Sequence, residues 1–199
     1  AIHIVKGGGV ASLSGTVGLT GDMPVDVRVR IDDLQFAKLM DQLGVTENAI
    51  IAWTLDAQVH LEGTLLPLDI DGPIRTQTRD LLVTKDAYHV TPRRRVMGVT
   101  RGDVDGRVSF HPDGVRFYDL DAHTPHSHLL ASVLLGFTDR LEVRVRSDHL
   151  DAADITPLLD FPMGGVGTAD LTVLGGYSDL DVRGHLALRG FSFDGKQAG

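Results

Sequence analysis

Val27-Arg28-Val29-Arg30-Ile31-Asp32-Asp33-Leu34 and Val143-Arg144-Val145-Arg146-Ser147-Asp148-His149-Leu150 are two versions of one segment. In each, valines alternate with arginines, the run passes through an Asp to a Leu, and an alanine follows three residues later, Ala37 and Ala153. Successive side chains of a strand point to opposite faces, so this spacing gives a strand with one aliphatic and one cationic face. A strand of that kind is half buried, and its apolar side calls for further strands beside it.

The likeness extends outward from the pair. Upstream, Leu13, Val17, Leu19 and Asp26 fall opposite Leu129, Val133, Leu135 and Glu142. Downstream, after a slip of a few residues, Ala57, Val59, Leu61, Gly63, Leu68, Asp69, Ile70 and Gly72 fall opposite Ala169, Leu171, Val173, Gly175, Leu180, Asp181, Val182 and Gly184. The spacing exceeds the roughly 20 to 50 residues of ordinary solenoid repeats, so each unit holds several strands and one short helix. The chain divides into an incomplete first unit over 1–95 and a second over 96–199, with the irregular stretch 83–103 read as a loop or edge strand at the seam. Because the units are out of phase with the ends and Ala1 stands where an initiator Met would, a piece of a longer protein is expected.

Between these anchors, period-two runs recur. Leu13, Gly15, Val17 and Leu19 share a face; so do Leu55, Ala57, Val59 and Leu61, then Leu66, Leu68 and Ile70. The turn His111-Pro112-Asp113-Gly114 between alternating runs is a hairpin signal. Strands are expected over 127–136, 140–147, 166–174 and 179–193, for at least ten in all. Two short helices complete the set, one over 34–43 with Asp32 or Asp33 at its start and Gly44 at its end, the other led by Asp151 ahead of Ile155, Leu158 and Leu159.

Several functions are excluded or left without support. The chain has 199 residues, no cysteine and a net charge of -8, which removes thiol chemistry and argues against a nucleic-acid partner. The triplet Arg93-Arg94-Arg95 reads as a solvated loop. No apolar run approaches the ~20 residues that span a bilayer, and no signal peptide opens the chain. Asp103-Val104-Asp105-Gly106 and Asp69-Ile70-Asp71-Gly72 lack the third oxygen position and distal Glu of an EF-hand loop. Gly164 to Asp170 nearly fits a nonapeptide calcium repeat but does not recur. His126 and His128, at i and i+2 with His123 across the Pro125 turn, could share a transition metal. Without a cysteine or an evident fixed carboxylate beside them, solvent-facing strand histidines are expected, and no metal or other cofactor is assigned. His60, His111, His149 and His185 occupy polar strand positions. No nucleophile elbow or phosphate loop is found, so no enzyme is expected.

The second unit resembles a known family. The run Gly106 to Phe110, Asp113-Gly114-Val115, Asp119-Leu120, Thr124 to Ser127, the Val143 to Arg146 strand and Leu150 through Leu158-Leu159 is similar to the repeating region of TamB/AsmA-like envelope proteins. Gly167 to Gly175 with Leu180 to Gly184 resembles their recurrent rung; Asp179 replaces the usual Pro, which the first unit keeps as Pro67. The resemblance implies an all-β fold, an elongated, curved antiparallel or mixed sheet of tandem units forming a taco-like open trough. It also implies a protein anchored in the inner membrane of a Gram-negative bacterium and reaching through the periplasm, with phospholipid acyl chains on its apolar face. Neighbouring repeats and an outer-membrane barrel protein are the implied partners. The residues expected to line the lipid groove are Val27, Val29, Ile31, Val59, Leu61, Leu68, Ile70, Val115, Phe117, Val143, Val145, Val182, Leu186 and Leu188. The alternative is a structural or adhesive β-solenoid whose apolar face is a closed, dry core.

Overall fold

Alternation of apolar and polar residues in run after run, several of them joined by tight turns such as 112–113, favours pairing between strands adjacent in the chain. The computed structural model describes residues 2–6, 9–35, 38, 49–85, 94–154, 163–176, 179–193 and 196–197. Its strands are β1 (Ile2–Lys6), β2 (Gly9–Val17), β3 (Pro24–Gln35), β4 (Ala49–Leu65), β5 (Leu68–Lys85) and β6 (Arg94–His111), then β7 (Gly114–His123), β8 (His128–Gly136), β9 (Arg140–Asp151), β10 (Met163–Gly176), β11 (Asp179–Phe193) and β12 (Lys196–Gln197). They form one 12-stranded sheet in chain order, and every pairing is antiparallel. β1 and β12 end at opposite edges, so the sheet is open. Of the antiparallel or mixed arrangement allowed by the sequence, the sheet is the antiparallel one, each strand pairing with its neighbours in the chain.

The register keeps the two faces apart across the whole sheet. Val29 faces Leu13 on β2 and Val59 on β4, and Val59 faces Ile74 on β5. Further on, one cross-strand row runs Val108, Phe117, Val133, Val143, Val173 and Val182 from β6 to β11. Strands lie ~4.8 Å apart, so this row alone is about 24 Å long. The opposite face carries Arg28, His60, Arg75, Asp105 and Arg144, among others. β8 is the exception, with Leu130 and Leu134 facing the polar side opposite Arg146 and Arg116. Among the described residues the buried apolar side chains are few, Ala57, Ile70 and Val108 in β4 to β6, Leu134 in β8, and Leu150 and Ala152 near the end of β9, and no large one is fully buried.

Every odd strand from β3 to β11 carries a bulge. Asp33, Asp80 and Asp119 lie at the register shifts of β3, β5 and β7 with φ of 56, 52 and 49°, and Gly190 does so in β11 with φ 62°. Asp tolerates the left-handed conformation better than branched residues do, because its short side chain finds local hydrogen bonds. At the β3 bulge the Asp33 N–H donates to Asp56 Oδ1 at 2.7 Å, and Arg79 Nη2 bridges Asp56 at 2.7 Å and Asp33 at 3.3 Å. A bulge bends its strand and increases the local twist. β6 carries one as well, an extra residue between Arg95 and Met97 where it pairs with Thr84 and Val83 of β5.

The repeat is visible in the pairing. β3 against β4 and β9 against β10 have the same register: Val29 opposite Val59, Val145 opposite Leu171, and Val27 and Val143 opposite Leu61 and Val173. Gly63 and Gly175 are equivalent and share φ of 149 and 145°. One strand further out the copies slip by two, Gly63 facing Ile70 but Gly175 facing Leu180, which leaves the faces unchanged because the side-chain period is two.

The expected helices and the seam compare with the structure as follows. The sequence pattern starts the first helix at residue 34, yet Leu34 and Gln35 belong to β3, held by pairing with Leu55 and Thr54; the remaining stretch of that helix, apart from Lys38, lies outside the described residues. Ile155, Leu158 and Leu159 of the expected second helix also lie outside the described residues; ahead of them Asp151 Oδ1 accepts from Ala153 N–H at 2.9 Å, as a capping Asp would. In the stretch 83–103, residues 94–102 are strand, paired with β5 alone, because β7 meets β6 only from Asp103 onward. Leu19 is past the end of β2 and 82% exposed.

Candidate functional site

Fourteen residues are expected to line one apolar surface, and the ladders place all of them on one face of the sheet. Val27, Val29 and Ile31 of β3 meet Leu61, Val59 and Ala57 of β4; Leu68 and Ile70 follow on β5; Val115 and Phe117 on β7 meet Leu135 and Val133. Val143 and Val145 on β9 lead through Val173 and Leu171 to β11, where Val182, Leu186 and Leu188 complete the surface. All the described strands belong to one sheet, so among the described residues there is no second sheet to cover this face. Exposure along this face is uneven: Val182 is 60% and Leu186 52% exposed, whereas Ile70 is buried and the other candidates, Val29 and Val143 among them, are half-buried. Apolar surface this continuous is rare on a protein that does not bind something with it.

The polar face is laced with ion pairs. Arg75 Nε contacts Asp105 at 2.5 Å, and Arg107 reaches both Tyr118 Oη, at 3.0 Å, and Asp71. The Tyr118 hydroxyl also donates to Asp71, which with burial raises its pKa, although Arg107 opposes the shift. These pairs account for the two DxDG stretches, which lie within β5 and β6 as strand residues, not in calcium loops. Hollows of about 560 Å³ open on this face, one beside Arg28, His60 and Arg75, the other beside Tyr118, Asp121, Arg144 and Arg146.

The histidines separate into two groups. His126 sits in the turn between β7 and β8, and its Nδ1 lies 2.8 Å from Asp154 Oδ1. Asp154 Oδ2 also accepts from the His126 N–H at 2.8 Å, from Ser127 Oγ at 3.0 Å and from Thr124 Oγ1. His123 and His128 are opposite each other at the root of the hairpin, rings stacked at 4.6 Å and 10°, and both Nε2 atoms meet Asp121 Oδ1, at 2.9 and 2.8 Å. The pair that shares a face is therefore His123 with His128, and not His126 with His128, because Pro125 and His126 form the turn. The carboxylate between them was not legible in the sequence, since only the hairpin register brings Asp121 beside both rings. His60 contacts Asp26 at 2.9 Å and Glu62 at 3.3 Å, His111 contacts Asp69 at 3.4 Å, and His149 and His185 are exposed.

Asp154 is the most buried of the paired carboxylates, its side chain 7% exposed. Burial by itself raises its pKa, but hydrogen bonds from Thr124, His126 and Ser127 outweigh that and hold it below 3.8. Its bond to His126 holds the imidazole above its ordinary 6.5. A lowered carboxyl stabilises the fold above its unfolded pKa and loses that effect as pH falls through the folded value; a raised imidazole stabilises below its unfolded pKa and loses it as pH rises. The pair therefore contributes fully between about pH 3.8 and 6.5. Asp154→Ala is expected to cost about 1–3 kcal/mol by leaving buried donors without an acceptor. Urea titration at pH 5.5 should show the full deficit, and at pH 2.5 a smaller one; equal deficits at both would contradict the assignment.

No family model matches the chain, and no curated protein or solved structure shows significant similarity to it. Among the described residues, no helix is long and apolar enough to cross a membrane.

Proposed function

We propose that this chain is a stretch of a periplasm-spanning, β-rich envelope protein of the TamB/AsmA-like kind, and that its apolar sheet face carries lipid acyl chains between the inner and outer membranes. The observation that carries this reading is the aliphatic face, unbroken from β2 to β11 and without a covering layer among the described residues. Each buried CH2 of an acyl chain gains about 0.8 kcal/mol, so retention of lipid requires no polar recognition motif. The recurrence of bulges on β3, β5, β7, β9 and β11, each of which bends its strand and increases its twist, supports a sheet curled into a taco-like trough, with the acyl chains lying across the strands. A closed, dry core, as in the adhesive-scaffold alternative, needs a partner layer for Val182 and Leu186, and the described residues offer none. The inner-membrane anchor and the outer-membrane barrel partner belong to the full-length protein in this proposal.

The test is solvent extraction of the purified chain followed by lipid mass spectrometry. Co-purifying phospholipid is expected. A folded sample that carries none, and takes up none from detergent-solubilised phospholipid, defeats the reading. Photo-crosslinking adds the orientation: probes at Val29 and Val145 should label lipid and probes at Arg28 and Arg144 should not, whereas the opposite pattern reverses the two faces.

A further inference from the structure

From the geometry at the root of the β7–β8 hairpin, we infer that Asp121, His123 and His128 form a binding site for a divalent transition-metal ion of the zinc, nickel or copper(II) class. Two imidazole nitrogens and one carboxylate oxygen converge on one point: both Nε2 atoms lie within 2.9 Å of Asp121 Oδ1. The donor atoms of the three residues all lie within 4.8 Å of one another, close enough for one ion to reach each. Imidazole with carboxylate suits these borderline cations, whereas magnesium and calcium prefer sites made wholly of oxygen.

Three features distinguish this cluster from an incidental one. Its donors are prepositioned, because Asp121 and His123 occupy alternate places on β7 and His128 is fixed opposite by the ladder. The turn between them is closed by Thr124 N–H donating to Ser127 O at 3.0 Å and is clamped from outside by Asp154. Second, an outer carboxylate, Asp148 Oδ1, lies 3.5 Å from His128 Nδ1, adding negative charge on the side of the ring away from Asp121. Third, Asp103, opposite His123 on β6, has a buried Oδ1 with no hydrogen-bond partner. A carboxylate oxygen left in that state is costly, and positive charge at the neighbouring site would offset the cost. The site is also reachable: His123 is 59% and His128 34% exposed at the side chain.

Among the described residues a second convergence, Asp26, His60 and Glu62, offers one imidazole whose Nε2 is already shared by two carboxylates, at 2.9 and 3.3 Å. It supplies a built-in comparison. The metal site lies on the polar face and is independent of any lipid on the other side.

Isothermal titration of the tag-free chain with zinc chloride, and separately with nickel chloride, should show one saturable equivalent. His123→Gln and His128→Gln should each weaken binding roughly tenfold or more, while His60→Gln and His185→Gln should leave it unchanged. NMR of the imidazole rings gives a second readout, with zinc expected to shift the His123 and His128 resonances and not those of His60. Absence of saturable zinc and nickel binding overturns the site, as does binding that survives the His123→Gln/His128→Gln double substitution in a folded protein. Equal losses from His60→Gln and His123→Gln mean an adventitious surface ion only, which also overturns it.

Discussion

Val143→Asp is expected to strip co-purifying phospholipid from the protein while leaving its β-sheet circular dichroism intact. Val143 is in the middle of the cross-strand row from Val108 to Val182, so an acyl chain lying across β6 to β11 has to pass over it. A carboxylate set against hydrocarbon costs about 2.5–3.5 kcal/mol, which lowers lipid affinity roughly 100-fold. The free protein tolerates the change because Val143 is only half-buried, which leaves the new carboxylate access to water. Arg144→Gln, one position along the same strand and on the opposite face, is the matched control and should retain lipid at the wild-type level. Equal lipid content in wild type and Val143→Asp, quantified by mass spectrometry per mole of folded protein, would show that acyl chains do not lie on this face.

The largest expected effect on stability is at Gly63. Its φ of 149° is one that residues with a side chain rarely adopt, and a Cβ there would press into the Asp69 carbonyl oxygen and lie 2.8 Å from Ile70 Cα. Both neighbours are backbone atoms of β5 held by the ladder, so nothing flexible can move aside. Gly63→Ala is expected to destabilise by about 3 kcal/mol, backbone strain and overpacking together. Gly21 supplies the comparison, with φ 63° and nothing within 4 Å of where a Cβ would stand, so that Gly21→Ala carries only the left-handed penalty of about 1 kcal/mol. Urea midpoints of the two variants measured side by side decide the matter. Because Gly175 is the equivalent of Gly63 in the second copy, with φ 145°, Gly175→Ala should also prove more harmful than Gly21→Ala.

The residues themselves determined the all-β class, the duplicated Val-Arg strand, most strand positions and the membership of the apolar face. That was possible because a period of two is a local property, legible along one strand without knowledge of its neighbours. The β10 and β11 strands expected over 166–174 and 179–193 fall within Met163–Gly176 and Asp179–Phe193 for this reason. Local pattern misplaced the start of the first helix, because the bulge at Asp33 shifts the alternation and Asp56 with Arg79 holds the strand on to Gln35. It also paired His126 with His128, since i and i+2 are neighbours on a strand face but not across a turn. Only the tertiary structure decided that twelve strands join in one open antiparallel sheet, and that Asp121 stands between His123 and His128. Such facts depend on register between strands, and a register is fixed by turn geometry and bulges acting over many residues at once, not by the preference of any single residue.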